Sequence, residues 1–242
     1  MKTKNLLLSC IFSIICVNLT HAYPPLSPYA YCAADPVNIV DPDGKDIWEI
    51  DRYGTVIKRM ADRTQDAFYM VENINGDWQR SGQYIVFEYG TISAQRRVNV
   101  TASYVNGETK TKTLTIFEVK GDDNASRLFE FLANPGVTTD VEWGHVKIGT
   151  KTSQRNLLGT LNECSGSGIN DYAWKTDYTI RESNHNHPSG IGDPSQSDVE
   201  HAAQVQTKFP NATFNIYTCN SPYYSPYNRN TQIKEETAIP KL

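Results

Sequence analysis

Apolar and polar residues alternate along residues 46–120 in short runs that predict β-strands. Residues 47–51 and 55–58 flank Arg52-Tyr53-Gly54, a pattern typical of a hairpin with glycine in its turn. β-branched and aromatic runs predict further strands at residues 67–72, 84–89, 97–105 and 111–119, with turns at Asn75-Gly76 and Asn106-Gly107. No cluster of reactive side chains accompanies these strands. We therefore expect a β-rich region that acts as a supporting sheet or spacer.

The pattern changes after residue 120. Apolar residues at helical spacing predict a helix over residues 125–133, with Asn124 as a possible cap. Strands are predicted at residues 141–148, 173–183 and 213–218, a polar loop at residues 162–170 and a helix at residues 195–209. This alternation predicts an α/β layer domain over residues 121–242, with a site at the strand ends.

The N-terminus has the layout of a secretory signal peptide. Lys2 and Lys4 precede an apolar run over residues 6–17, and Ala22 offers a small residue at a cleavage point. The alternative is a membrane anchor, but the run is shorter than the ~20 residues that a span needs. We expect residues 1–22 to be removed and the protein to be secreted or periplasmic, without a stable membrane span.

Composition narrows the class of protein. The chain has 242 residues, 39% hydrophobic and 21% charged, with a formal net charge of −4, which is typical of a soluble globular protein. No concentrated basic surface is expected, so a nucleic-acid partner is not predicted. After removal of the signal peptide, Cys32, Cys164 and Cys219 remain. Three cysteines allow at most one intramolecular disulfide and leave one thiol free.

The stretch from His185 to Asp198 carries the candidate chemistry. Residues two apart on an extended segment point to the same side, so His185 and His187 can present both imidazoles to one point. A Pro/Gly-rich turn follows, and Ser195 stands where a helix should start, which places Asp198 in the first helical turn. Two nitrogens and one oxygen leave a fourth tetrahedral position open, as in catalytic zinc sites.

Each half of this motif has a simpler interpretation. A His-x-His pair alone is usually a feature of an exposed loop, and Ser195 with Asp198 alone is a common helix cap worth about 1 kcal/mol. The combination is far more specific. His-x-His-Pro, six residues, then Ser-x-x-Asp resembles the JAMM signature of the JAB/MPN/Mov34 metallopeptidases, and residues 185–190 are especially similar to the bacterial RadC version.

The resemblance implies a deaminase-like α/β fold and a set of site residues. His185, His187 and Asp198 would be the zinc ligands, and Ser195 would hold the reacting oxygen or the metal-bound water. A glutamate on an earlier strand would act as general acid/base, taking a proton from the water and returning it to the leaving amine.

Three glutamates are candidates for the general acid/base. Glu182 lies an odd number of residues from both histidines and faces away on a regular strand, and Glu163 lies in a Gly/Ser loop. Glu142 shares a predicted strand face with apolar residues, where an acid is costly to bury without a role. Toxin-type JAB domains carry a similar acid-Trp strand, so we choose Glu142. We expect His145 to be a surface or supporting residue and His201 to be solvated.

A second resemblance lies upstream. Residues 27–44, which run from Ser27-Pro28-Tyr29 to Asp41-Pro42-Asp43-Gly44, resemble the end of the RHS-repeat core, where a variable C-terminal toxin begins. We therefore predict that residues 23–45 are an RHS-core-like tail or linker.

The leading hypothesis is an exported toxin or effector that cleaves a peptide or isopeptide bond. Its partners would be a protein or peptide substrate, which could be ubiquitin-like or isopeptide-linked, and an immunity protein. Two alternatives stay open: a nuclease-type toxin that uses the same metal motif, and a non-catalytic MPN-like interaction module. A base deaminase is disfavoured because no Cys-x-x-Cys pair is present.

Overall fold

Two β-sheets and three helices form the part of the chain that the computed structural model describes, residues 46–103, 109–219 and 223–233. The smaller sheet contains β1 (Asp46–Asp51), β2 (Val56–Ala61), β3 (Gln65–Ile74) and β4 (Asp77–Glu88), in the order β2-β1-β3-β4. The larger sheet contains β5 (Ile92–Ser103), β6 (Thr109–Lys120), β7 (Gly144–Gly149), β8 (Gln154–Thr160), β9 (Ile180–Asn186), β10 (Thr213–Thr218) and β11 (Tyr223–Tyr227). Its order is β11-β10-β9-β7-β8-β6-β5.

Turns that contain glycine connect two pairs of strands in the smaller sheet. The predicted β1–β2 hairpin is confirmed, with Gly54 at φ +75° in its turn. Asn75 and Gly76 both have positive φ, 56° and 96°, which is the conformation that joins β3 and β4 in a tight antiparallel hairpin. The predicted Asn106-Gly107 turn lies outside the described residues.

The helices cover the larger sheet from both sides. They are α1 (Asp122–Leu132), α2 (Ile169–Lys175) and α3 (Gln196–Lys208). One apolar core joins α1, the smaller sheet and the facing side of the larger sheet, while a second core packs α2 and α3 against the opposite side. The described chain is thus a mixed α/β structure with much sheet and few helices. None of its helices is long and apolar enough to cross a membrane.

The smaller sheet is joined to the larger one through Trp48. Its ring stacks on Phe68 at 4.8 Å between centroids and meets the edge of Phe117, on β6, at 5.9 Å. Its indole N–H donates a 2.7 Å hydrogen bond to Gln95 Oε1, on β5. Because β5 and β6 are strands of the larger sheet, residues 46–120 do not form a separate layer. The boundary predicted at residue 120, between the β-rich region and the α/β domain, therefore lies inside one packed unit.

Several predicted elements need correction. The strand predicted at residues 173–183 is wrong, because residues 169–175 form α2 and only residues 180–186 are strand. The strand predicted at residues 141–148 begins at Gly144. Helix α1 begins at Asp122, and Asn124, instead of capping it, donates a 3.3 Å hydrogen bond to the carbonyl of Lys120. Strands β8 and β11 were not predicted.

Other predictions concern the N-terminal 45 residues. The signal peptide, the RHS-like tail and Cys32 lie outside the described residues. Cys164 and Cys219 are free thiols in the described chain.

A glycine pair makes room for α2. Gly144 and Gly159 stand opposite each other in the β7–β8 pairing. A Cβ on Gly144 would lie 2.4 Å from Ile169 Cγ2 and 2.5 Å from Ser167 Oγ, and one on Gly159 would lie 3.0 Å from Ile169 Cδ1. The first turn of α2 and the loop before it therefore rest directly on the sheet backbone.

We expect Gly144→Ala to lower the free energy of unfolding by about 1–3 kcal/mol, because the added methyl group overpacks this contact. Urea unfolding at neutral pH measures the change. Gly136→Ala is the control, since its Cβ would meet only the ends of two side chains, Asn134 Oδ1 at 3.2 Å and Gln83 Nε2 at 4.0 Å, in an exposed loop. Equal unfolding free energies for wild type and Gly144→Ala would contradict the packing.

His145 is fully buried, which corrects the expectation of a surface residue. Its Nε2 lies 2.9 Å from Asn156 Oδ1. Burial lowers the pKa of His145 to about 4, and the hydrogen bond that its Nε2–H donates to Asn156 Oδ1 only partly opposes this. In the unfolded chain the imidazole takes up its proton near pH 6.5. Protonation of the unfolded state therefore destabilises the fold as the pH falls from about 6.5 to 4.

We predict that His145→Gln removes this acid sensitivity, because glutamine does not titrate. Between pH 7 and pH 5 the wild type should lose about 2 kcal/mol more stability than the variant, since one pKa unit corresponds to about 1.36 kcal/mol. Urea unfolding of both proteins at the two pH values gives the difference. Equal losses of stability in the wild type and the variant would show that His145 is not buried as a neutral imidazole.

Candidate metal centre

Strand β9 presents the two histidines. It lies between β7 and β10 in the larger sheet, antiparallel to the first and parallel to the second. His185 is near the end of the strand and 2% exposed, and His187 follows directly after it. The Nε2 atoms of the two rings are 3.1 Å apart. The predicted convergence of both imidazoles on one point is thus present.

Helix α3 brings the carboxylate. Ser195 is its N-cap in extended conformation, and the predicted helix start is confirmed. A capping box joins Ser195 to Asp198: the Ser195 amide donates to Asp198 Oδ2 at 2.7 Å, and the Asp198 amide donates to Ser195 Oγ at 3.4 Å. The turn before it is tightened by Gly190, at φ +76°, whose amide donates to the carbonyl of His187 at 2.9 Å.

The three candidate ligand atoms form a compact triangle. His185 Nε2 is 3.2 Å from Asp198 Oδ1, and His187 Nε2 is 3.5 Å from Asp198 Oδ2. In a tetrahedral zinc site with bonds of about 2.0–2.1 Å, neighbouring ligand atoms lie about 3.3–3.4 Å apart. The separations of 3.1–3.5 Å therefore suit a metal ion of this size, and His185, His187 and Asp198 are the candidate metal-binding group of the described chain.

His187 is oriented by a backbone contact. Its Nδ1 lies 3.1 Å from the carbonyl oxygen of Ile191, in the turn between β9 and α3. Donation of the Nδ1 proton to this carbonyl leaves Nε2 as the lone-pair nitrogen on the side of the triangle, which is how metal-bound histidines are usually fixed. The ring of His185 instead meets Tyr227 edge-on, at 6.2 Å between centroids.

The charges at the triangle favour a cation. Burial would raise the pKa of Asp198, but hydrogen bonds from His185 and His187 hold it well below its ordinary value. Burial would lower the pKa of His185, yet the hydrogen bond and charge of Asp198, together with the charge of Glu142, raise it. Both shifts reflect the attraction between the Asp198 carboxylate and positive charge at the imidazoles, which is the charge that a divalent cation would supply at this place.

Glu142 joins this group from a different segment. It is 9% exposed and lies just before β7, so the argument from a strand face was wrong about its setting. Its carboxylate accepts hydrogen bonds from the amides of Gly166, at 2.7 Å to Oε2, and Ser167, at 3.0 Å to Oε1. Burial raises its pKa, while the charge of His185, the hydrogen bond from the Gly166 amide and the charge of His187 oppose the rise.

The other two glutamates have structural partners. Glu182 forms a 2.8 Å ion pair with Lys147 and accepts a 2.8 Å hydrogen bond from Asn184 Nδ2, on the side of β9 opposite His185. Glu163 pairs with Lys112, and its carbonyl accepts a 2.7 Å hydrogen bond from the amide of Glu142. The predicted alternation along β9 thus holds for Glu182.

Two further predicted residues differ in detail from expectation. The hydroxyl of Ser195 donates a 2.6 Å hydrogen bond to Asp198 Oδ2, so in this structure it orients a ligand. His201 is 13% exposed rather than solvated, with Nδ1 3.6 Å from Asp171 Oδ1 and a buried Nε2. Its ring packs edge-on against Phe214 at 6.3 Å, which explains why it is shielded from water.

Residues 117–221 match the family model described as JAB-like toxin 1. These residues form a JAB-like toxin domain. No curated protein and no solved structure matches the chain.

The JAB-like toxin domain contains every predicted site residue and begins inside β6. Sequence reasoning missed the residues that hold Glu142 in this domain, namely Asn186, Gly166 and Ser167. The Gly/Ser-rich composition of residues 162–170 signals a loop, but not that its amides bind a carboxylate. These contacts come from tertiary packing, which leaves no local pattern.

We expect the purified full chain to bind about one zinc ion, in the three-ligand pattern of His185, His187 and Asp198. His187→Ala should sharply reduce the zinc content while leaving the far-ultraviolet circular dichroism spectrum unchanged, because His187 lies just after β9 and outside the cores. Elemental analysis of zinc-supplied, dialysed protein gives the stoichiometry. His145→Gln, on the opposite face, is the control and should keep its zinc. A wild-type protein without bound metal would refute the site.

Proposed function

We propose that this chain is an exported, zinc-dependent peptidase or isopeptidase that acts as a toxin, with the layer arrangement of JAMM enzymes. The observation that carries the proposal is the triangle of His185, His187 and Asp198, together with the buried carboxylate of Glu142, whose segment is hydrogen-bonded to Asn186 between the two histidines. A binding module would need neither a three-ligand site with an open fourth position nor a carboxyl group of raised pKa next to it.

The proposed roles follow from the contacts. His185, His187 and Asp198 would hold zinc, and the bound ion would supply Lewis-acid chemistry, namely a pKa of water lowered to about 7 and a polarised carbonyl. Glu142 accepts a proton on its carboxylate from the attacking water and returns it to the leaving amine. Its raised pKa suits a group that must take up and release a proton near neutral pH. Ser195 fixes Asp198 and, with its exposed hydroxyl, hydrogen-bonds the reacting oxygen.

The proposed substrate is a protein or peptide, which could be ubiquitin-like or isopeptide-linked, and the toxin would be paired with an immunity protein in its producer. Export would use the N-terminal signal peptide to reach the periplasm or the exterior. The net charge of −4 argues against a nucleic-acid substrate and hence against the nuclease alternative.

A substrate screen tests this function. Zinc-loaded and chelated protein are incubated side by side with peptide libraries, isopeptide-linked peptide pairs and single- and double-stranded nucleic acids, and the products are read by mass spectrometry. Zinc-dependent cleavage of an amide bond is the expected result. Cleavage of phosphodiester bonds alone would favour the nuclease alternative, and no cleavage by zinc-loaded protein would favour the interaction module.

Once a substrate is found, Glu142→Gln should keep its zinc and its fold while turnover falls by about 10²–10⁴-fold. Glutamine keeps the shape of the side chain but cannot accept the proton of water. Zinc stoichiometry and cleavage are measured on the same preparations.

Glu182→Gln is the matched control, because Glu182 is paired with Lys147 on the opposite side of β9. It should behave almost like the parent. Full activity of Glu142→Gln would remove Glu142 from the mechanism, and loss in Glu182→Gln instead would show that the wrong acid was chosen.

A further inference from the structure

Asn186, between the two histidines, is bonded to the segment that carries Glu142. Its Oδ1 accepts a 2.8 Å hydrogen bond from the amide of Trp143, and its Nδ2 donates to the carbonyl of Val141 at 3.3 Å. Its own amide donates to the carbonyl of Trp143, also at 3.3 Å. One residue therefore makes three hydrogen bonds to Val141 and Trp143, the two residues that flank Glu142.

These bonds replace a missing part of the sheet. The regular pairing of β7 with β9 ends at Gly144 opposite His185, so residues 141–143 have no strand ladder to hold them. The side-chain amide of Asn186 has one acceptor and one donor group, and both are used here. Because Asn186 is 2% exposed, loss of these partners would leave buried polar backbone groups unsatisfied.

The alternation of β9 links this contact to the metal ligands. His185 and His187 point to one side of the strand, and Asn186 reaches the neighbouring segment. The same three residues thus fix two ligand nitrogens and the backbone on both sides of Glu142. A shift of β9 would move the imidazoles and the carboxylate together, so their spacing would be kept.

We propose that Asn186 is a positioning residue that sets the place of Glu142 relative to the metal ligands, while the amides of Gly166 and Ser167 set the direction of its carboxylate. This inference rests on the proposed role of Glu142. It assigns Asn186 no contact with substrate or metal. Its influence on the reaction runs through Glu142 alone.

Two substitutions test it in the full chain. Asn186→Ala removes both side-chain hydrogen bonds, and Asn186→Ser keeps a polar group that is too short to bridge Val141 and Trp143. Both variants should keep one zinc ion per chain. Their kcat should fall by about 10–100-fold, the usual effect of losing a supporting residue, with little change in KM.

Asn184→Ala is the matched control. Asn184 is also buried in β9, and its side chain is also satisfied twice, by Glu182 and by Asn215. Its loss should destabilise the fold by a similar amount and leave kcat near the wild-type value. An equal loss of kcat in Asn184→Ala would show a general effect of damaging β9 and would overturn the proposal.

Hydrogen exchange gives a readout that needs no substrate. The amide of Trp143 should exchange faster in Asn186→Ala than in wild type, and should stay protected in Asn184→Ala. Unchanged protection of Trp143 in Asn186→Ala would overturn the proposal, because the segment would then be held without Asn186.

A double-mutant cycle separates this proposal from the proposed function. If Asn186 acts only through Glu142, Asn186→Ala should cause no further loss of turnover in the Glu142→Gln background. Additive losses would overturn the positioning role and leave Glu142 in place. Full activity of Glu142→Gln alone would instead remove Glu142 from the mechanism, and the positioning role of Asn186 would fall with it, whereas the absence of any zinc-dependent cleavage of amide bonds would overturn the proposed function itself.

Discussion

The approach of the Asp198 carboxylate to two imidazoles is the contact on which the rest of the site depends. Taking a carboxylate out of water is costly unless positive charge and hydrogen bonds compensate for it. Here His185 and His187 supply the charge, and Ser195 supplies hydrogen bonds from its amide and hydroxyl. All four residues belong to one stretch of strand, turn and helix start. The ligand triangle is therefore a local structure, set on the central part of a sheet.

Glu142 depends on distant parts of the chain instead. Its amide, its carboxylate and its neighbouring peptide units are bonded to residues 163, 166, 167 and 186. The β1–β2 turn adds support, since the carbonyl of Arg52 accepts a 2.7 Å hydrogen bond from the amide of Thr139 and the carbonyl of Tyr53 accepts one of 2.9 Å from Asn162 Nδ2. The β-rich region, which offered no chemistry of its own in the sequence, thus contributes to holding the candidate proton-transfer group.

This contrast explains what the sequence could predict. The hairpin at Gly54, the convergence of the His185 and His187 side chains and the helix after Ser195 follow from local patterns, and the structure has all three. Helix α2 was missed because its signal is only Ile169 and Ala173, one turn apart, and its place depends on the glycines of β7 and β8. Glu142 was chosen by a strand-face argument that does not apply, although its segment is hydrogen-bonded to Asn186, between the two histidines. Its setting depends on long-range pairing, which no short pattern records.

The insertion of β6 between β5 and β8 has a practical consequence. The match to the JAB-like toxin family begins at residue 117, near the end of this strand. A fragment cut there would lack β5 and the first eight of the 12 residues of β6, and it would expose the face of Phe117 that Trp48 and Phe68 cover. A bare strand edge beside an uncovered aromatic surface is a template for pairing with other chains, and such a fragment would aggregate. Recombinant versions of the domain should therefore begin no later than Asp46.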